Sequence, residues 1–183
     1  MKAIVCHELI GPAALRLEDA PEPSPGPGQV RVRVRACGVN FADSLITRGQ
    51  YQAQPQPPFS PGFEVAGEVL ERGAGVEGFE VGERIIAIAP HGGYAEQLVA
   101  DAGRCVKLPA AMPYQHGAAF PVVFGTSHVA LWHRARLRAG ETLVVHGASG
   151  GVGLTAVAIG KQLGATVIAT ASGPEKLEIA RQH

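Results

Sequence analysis

Between Leu143 and Gly153 the chain reads Leu-Val-Val-His-Gly-Ala-Ser-Gly-Gly-Val-Gly. An apolar run ends in a glycine-rich turn, and a helical pattern follows at once. That order of elements can seat a pyrophosphate. Bare backbone N–H groups and the partial positive charge of a helix N-terminus come up to the phosphates. Read as G-x-G-x-x-G, the motif places Ala148 at the first glycine and Gly150 and Gly153 at the other two. Ser149, Gly150, Gly151, Val152 and Gly153 are therefore the residues expected to meet a dinucleotide. A plain strand–turn–helix connection also uses glycines, for positive φ alone. The context favours the dinucleotide reading. Leu143 to His146 reads as a buried strand, Gly151 to Leu163 carries a helical apolar face, and Gly164 fits a helix stop. Thr166 to Thr170 then reads as the next parallel strand.

The second strand also speaks to the choice of cofactor. An NAD site places Asp or Glu about twenty residues past the glycines, on the ribose hydroxyls. Here the strand tip is Ala171-Ser172, neutral and small. Ser172 can donate to a 2′-phosphate, and Lys176 one turn on can neutralise it. Lys176 as a plain solvated lysine is the competing reading. Glu175 lies in a helix first turn, where its default role is to meet the dipole. The expected cofactor is NADPH.

The rest of the chain must position these groups. Val30-Arg-Val-Arg-Val-Arg-Ala36 alternates strictly, the pattern of a half-buried antiparallel strand. Its arginines read as a solvated face rather than a phosphate site. Met1 to Glu8, Glu64 to Leu70, Arg84 to Ala89 and Gly92 to Val99 suggest further strands, with Pro21 to Gly28 a stiff connector. Many short strands with Gly/Pro turns imply a small closed or folded-over β domain. After Pro113 the period turns helical, broken near Pro121, and Pro174 opens a last helix. The expected division is residues 1–112 as the β domain and 113–183 as a linking helix plus the first βαβα of a dinucleotide domain.

Net charge is +0 over 183 residues, so no basic surplus draws nucleic acid. No apolar run reaches the roughly twenty residues that cross a membrane. Cys6, Cys37 and Cys105 are odd in number and widely spaced, which suggests reduced thiols and a cytoplasmic protein. His128 and His133 are five apart, a spacing that puts them on different faces of an α-helix.

Together these segments resemble a known family. Gly26-Pro-Gly-Gln-Val-Arg-Val-Arg-Val-Arg-Ala, Cys37-Gly-Val-Asn-Phe-Ala-Asp43, Pro61-Gly-Phe-Glu-Val-Ala-Gly67, Val81-Gly-Glu-Arg84, Gly93-Tyr-Ala-Glu96 and the glycine turn are similar to the medium-chain dehydrogenase/reductase superfamily. Within it, the zinc-free NADPH:quinone oxidoreductases of the ζ-crystallin type match best. The resemblance implies a GroES-like β domain followed by a Rossmann (doubly wound parallel) domain, with the active site in the cleft between them. The zinc-binding branch carries a cysteine, a histidine and a further cysteine or acid where this chain has Asn40, Phe63 and Val122. None of these is a zinc ligand, so no metal is expected.

Without zinc, an alkoxide loses its Lewis acid, and hydride transfer to a quinone or α,β-unsaturated carbonyl is the easier reaction. Asn40 is expected to hydrogen-bond the nicotinamide ribose or the substrate, or else to cap a turn. Asp43 either orients Asn40 or caps the next helix. Tyr51 is a candidate donor in the cleft, or a loop aromatic. Thr126 resembles the family's cofactor-contacting threonine, or is a helix cap. Leu45 replaces a second tyrosine found in some relatives, and Glu64 survives from the zinc branch's histidine–glutamate pair. The chain supplies two strands where a doubly wound domain has about six. The expectation is an incomplete Rossmann domain that binds NADPH weakly alone, and a homo-oligomer if full length. A non-catalytic remnant or interaction module built on the β domain is the alternative.

Overall fold

The computed structural model describes residues 1–183, which divide into two compact units, Met1–Ala119 and Phe120–His183. In the first unit, β1 (Lys2–Cys6) and β2 (Leu15–Asp19) form an antiparallel hairpin. Five further strands make one antiparallel sheet: β3 (Gln29–Cys37), β4 (Glu64–Arg72), β5 (Arg84–Ile88), β6 (Gln97–Asp101) and β7 (Cys105–Lys107), ordered β6-β3-β4-β5-β7. Bridges from Ala3 to Ala95 and from Cys6 to Phe59 tie the hairpin to the loops around that sheet. Alternation in β3 does what its pattern requires. Val30 and Val32 are fully buried against Val65, Val69 and Ile85. The arginines between them meet acids on the other face: Arg31 reaches Glu71 at 2.8 Å, and Arg35 forks onto Glu68 at 3.0 and 3.2 Å.

Two strands in this unit, β2 and β7, carry no signal in the sequence. β2 follows a short turn at Pro12–Ala14, and α1 (Phe41–Ile46) is one and a half turns long, too short to show a period. The first unit also continues past the expected boundary at residue 112. Tyr114–Ala118 forms α2 and packs on β4, with Ala118 buried beside Ala66 and Ile86. Tyr114 donates to Glu68 at 2.9 Å and lies under the Arg84 guanidinium, so this helix belongs to the sheet.

The second unit contains α3 (Pro121–His128), β8 (Thr142–His146), α4 (Gly151–Gln162), β9 (Thr166–Thr170) and α5 (Pro174–Arg181). β8 and β9 pair in parallel, in register from Thr142 opposite Thr166 to His146 opposite Thr170. α4 is the crossover, and its buried Val157 packs with Val145, Ala148 and Ala180. The α4 to α3 contact is polar at its centre. The Ser127 hydroxyl lies 2.8 Å from the Thr155 hydroxyl and 2.8 Å from the Val152 carbonyl, and Thr155 reaches the Val123 carbonyl at 3.0 Å. Both side chains are buried.

One expectation is corrected here. His128 and His133 do not lie on different helix faces. Val129–Arg134 continues α3 with wider π-type turns, which hydrogen-bond five residues back as Ala135 does to Ala130. Residues five apart then share a face, and the two imidazole rings lie 5.3 Å apart.

The buried hydroxyl pair carries a stability prediction. Thr155→Val keeps the shape of the side chain but leaves the Ser127 hydroxyl and the Val123 carbonyl short of a partner. It is expected to lower unfolding stability by about 1–3 kcal/mol in urea titration. An unchanged midpoint would show that the pair contributes nothing.

Candidate active site and dinucleotide cradle

In the first unit the site is built where β3 ends and α1 begins. Asn40 has extended backbone and precedes α1, and the Asp43 carboxylate three residues on accepts the Asn40 N–H at 2.7 Å. Asp43 closes a capping box at the start of α1, and the same bond holds the Asn40 backbone. Its second oxygen accepts the Gly62 N–H at 3.1 Å, which holds the loop before β4 against the helix. The Asn40 amide is held separately. Its Nδ2 donates to Glu64 Oε1 at 2.8 Å. Because a carboxylate only accepts, this bond sets which way the amide faces.

Glu64 opens β4 and is only 1% exposed. Its carboxylate is reached because Gly38 leaves room. A Cβ at Gly38 would stand 2.2 Å from Glu64 Oε1 and 2.7 Å from the Ala118 carbonyl. Asn40 and Asp43 line a cavity of about 660 Å³ together with Cys37, Val39, Thr47 and Tyr94. Burial, with Asp43 and Glu64 nearby, pushes the Cys37 thiol up to about 12. Burial also raises the Tyr94 hydroxyl, reinforced by the Asp43 carboxylate beside it. Both groups therefore keep their protons at neutral pH.

Tyr51 is placed apart from this cavity. Its ring packs on Phe63 at 5.4 Å, beside the small cluster of Cys6, Ile46 and Phe59. Tyr94 and Cys37 were not singled out from the sequence. Their one signal was position, Cys37 three residues before Asn40 and Tyr94 inside Gly93-Tyr-Ala-Glu96.

In the second unit the glycine turn joins β8 to α4 as its sequence requires. The left-handed residue is Gly147, at φ 63°, so Ala148 can replace a glycine without strain. Ala148 is fully buried and donates to the Thr170 carbonyl at 3.0 Å, which pins the turn to the end of β9. Gly153 is required by packing, since a Cβ there would lie 2.4 Å from the Gly147 carbonyl. Gly150 is different. A Cβ there would meet the chain only at 3.5 Å, so the protein itself has room for a side chain and the bare position leaves the cradle open.

The N–H groups of Gly151, Val152 and Gly153, in the first turn of α4, have no partner within the chain. Open glycines, free N–H donors and the start of a twelve-residue helix fit a diphosphate. Ser172 and Lys176 are exposed around the start of α5, beyond the tip of β9. At that tip His146 Nδ1 lies 2.9 Å from the Thr170 hydroxyl. Thr126 is not a helix cap. It lies within α3, is exposed, and its hydroxyl donates back to the Val122 carbonyl.

Known proteins carry the same two kinds of unit, a GroES-like β unit and a Rossmann-type βαβ unit. Residues 26–110 match the alcohol dehydrogenase GroES-like domain. The whole chain is 42% identical to quinone oxidoreductase-like protein 2 of Rattus norvegicus, covering 52% of that protein. It is 39% identical to the quinone oxidoreductase of the same animal, covering 56%. Among solved structures, the quinone oxidoreductase of Thermus thermophilus, crystallised also with NADPH, superposes with TM-score 0.88 at 41% identity and 57% coverage of that chain. The Escherichia coli quinone oxidoreductase–NADPH complex gives 0.94 at 30% identity and 56% coverage. The chain spans a little over half the length of these relatives. In sequence and in fold the chain is similar to these quinone oxidoreductases over that span, and residues 26–110 are similar to an alcohol dehydrogenase GroES-like domain.

Burial in the first unit makes two predictions. Gly38→Ala is expected to destabilise the chain by about 2–4 kcal/mol, because the added methyl meets a buried carboxylate and a backbone carbonyl; thermal unfolding measures it. Cys37, held near 12, and Cys105, held near 11, should resist iodoacetamide in the native chain at about pH 8 and react after denaturation. The sign for stability follows. From the ordinary thiol value of 9.0 upward, the unfolded thiols lose protons that the folded ones keep, so stability falls as pH rises from 9 toward 12.

Proposed function

We propose that this chain carries the substrate-side and cofactor-side residues of a zinc-free, NADPH-dependent oxidoreductase acting on a quinone or α,β-unsaturated carbonyl. The observation that carries this reading is the start of α4: three unpaired N–H groups beside an open glycine at position 150. Ser149 to Gly153 would hold the diphosphate, and Ser172 and Lys176 would meet a 2′-phosphate. No acid stands at Ala171 or Ser172 to favour the free ribose hydroxyls of NADH. Bound NADPH supplies a hydride.

The remaining work falls to the chain's own residues. Asn40, fixed by Glu64 and Asp43, presents the rest of its amide to the nicotinamide ribose or the substrate oxygen. Asn40 and Phe63 offer zinc neither sulfur, imidazole nor carboxylate, which supports chemistry without a metal. The lining groups Cys37 and Tyr94 hold their protons firmly, which suits an acceptor that spreads incoming charge through its own π system. Tyr51 and Thr126 remain candidate contacts to substrate and cofactor.

Nicotinamide fluorescence tests the reading. Lys176→Ala is expected to weaken NADPH binding about tenfold and leave NADH within about twofold. Equal losses for both cofactors, or none for either, would remove Lys176 from phosphate recognition. An unaltered chain that binds neither cofactor would remove the function itself.

A further inference from the structure

We propose a second ligand site in the unit Phe120–His183, at the end opposite the glycine turn, that binds a mononucleotide through one aromatic face and two arginines. A cavity of about 570 Å³ lies where α3's continuation meets the start of β8 and the end of α4. It is lined by Trp132, Arg136, Leu137, Arg138, Ala139 and Leu163. β8 runs away from it from Thr142 to His146, and α4 returns from Gly151 to Gln162, so the length of both elements separates it from the cradle.

Three observations point to a ligand. First, Arg134, Arg136 and Arg138 are the only arginines in the chain whose guanidinium groups have no hydrogen bond or ion pair. The others bind acids, as Arg31 does Glu71, or carbonyls, as Arg84 does Ala110. An unpaired guanidinium fork is shaped for phosphate or carboxylate. Second, Arg136 has φ 54° and is the only non-glycine residue with positive φ. Leu137 N–H bonds back to the Leu131 carbonyl at 2.9 Å, closing the helix in the manner that normally takes glycine at the residue before. An arginine held in that strained place is an outlier of the kind that marks function. Third, Trp132 is 51% exposed, with its ring braced nearly parallel to His128 at 6.2 Å.

An aromatic face beside guanidinium groups recognises a flat ring that carries phosphate. The cavity is the size of one such molecule rather than a polymer track. The nearby acid is Glu141, whose carboxylate is taken by the Arg138 backbone N–H at 2.7 Å.

Trp132 is the chain's single tryptophan, so its fluorescence reads this site directly. Titrating the 183-residue chain with AMP is expected to quench it saturably, and inorganic phosphate to quench it little. Arg136→Gly suits the left-handed backbone and should raise the melting temperature while weakening AMP at least about tenfold. Lys176→Ala should leave AMP quenching unchanged, which separates this site from the proposed NADPH site.

The proposal is overturned if AMP produces no saturable quenching, or if Arg136→Gly binds AMP as the parent does. It is also overturned if Lys176→Ala abolishes the signal. A blue shift of Trp132 on phosphatidylserine vesicles without AMP quenching would make the patch a lipid-docking face and overturn it as well.

Discussion

A carboxylate almost wholly removed from water must be met by donors, and the site around Asn40 is organised by that requirement. Glu64 is buried at the start of β4, and the Asn40 amide is one of the groups that satisfy it. The same bond locks the amide's orientation, because only the nitrogen can face a carboxylate. Gly38 exists without a side chain so that this approach can happen. Asp43 then holds the Asn40 backbone from the helix side and the Gly62 loop from the other. Two acids thus fix one neutral amide at a cavity wall. Burial raises both the Cys37 thiol and the Tyr94 phenol; Asp43 adds to each, and Glu64 to the thiol.

The cofactor cradle rests on a different constraint, the geometry of one turn. Gly147 takes the left-handed backbone, Gly153 lets α4 close on the turn that follows β8, and Gly150 leaves space that the chain does not fill. These are three separate reasons for three glycines. They explain why the motif tolerates Ala148, whose backbone is ordinary and whose N–H is spent on β9. The polar Ser127–Thr155 contact seats α4 against α3.

Much of the fold was legible because its elements carry strong patterns. The alternation of Val30 to Ala36, the apolar run into Gly147 and the proline before α5 each name an element and its face. What was illegible was short or set by distant partners. α1 has too few residues for a period, and α2 is a helix whose placement depends on Tyr114 reaching Glu68. The π-type turns after His128 have no local signature, so two histidines expected apart stand together. At the site, Asn40 and Asp43 could be picked out, but not their division of labour. That depends on Glu64, which lies twenty-four residues along the chain from Asn40 and beside it in space.

The coupling between Asn40 and Glu64 is the most direct test of this account. A double-mutant cycle with Asn40→Ala and Glu64→Met, read by urea unfolding, should give an interaction energy of about 1.5–3 kcal/mol. Additive effects within about 0.5 kcal/mol would show that the buried carboxylate does not hold the amide, and would contradict it.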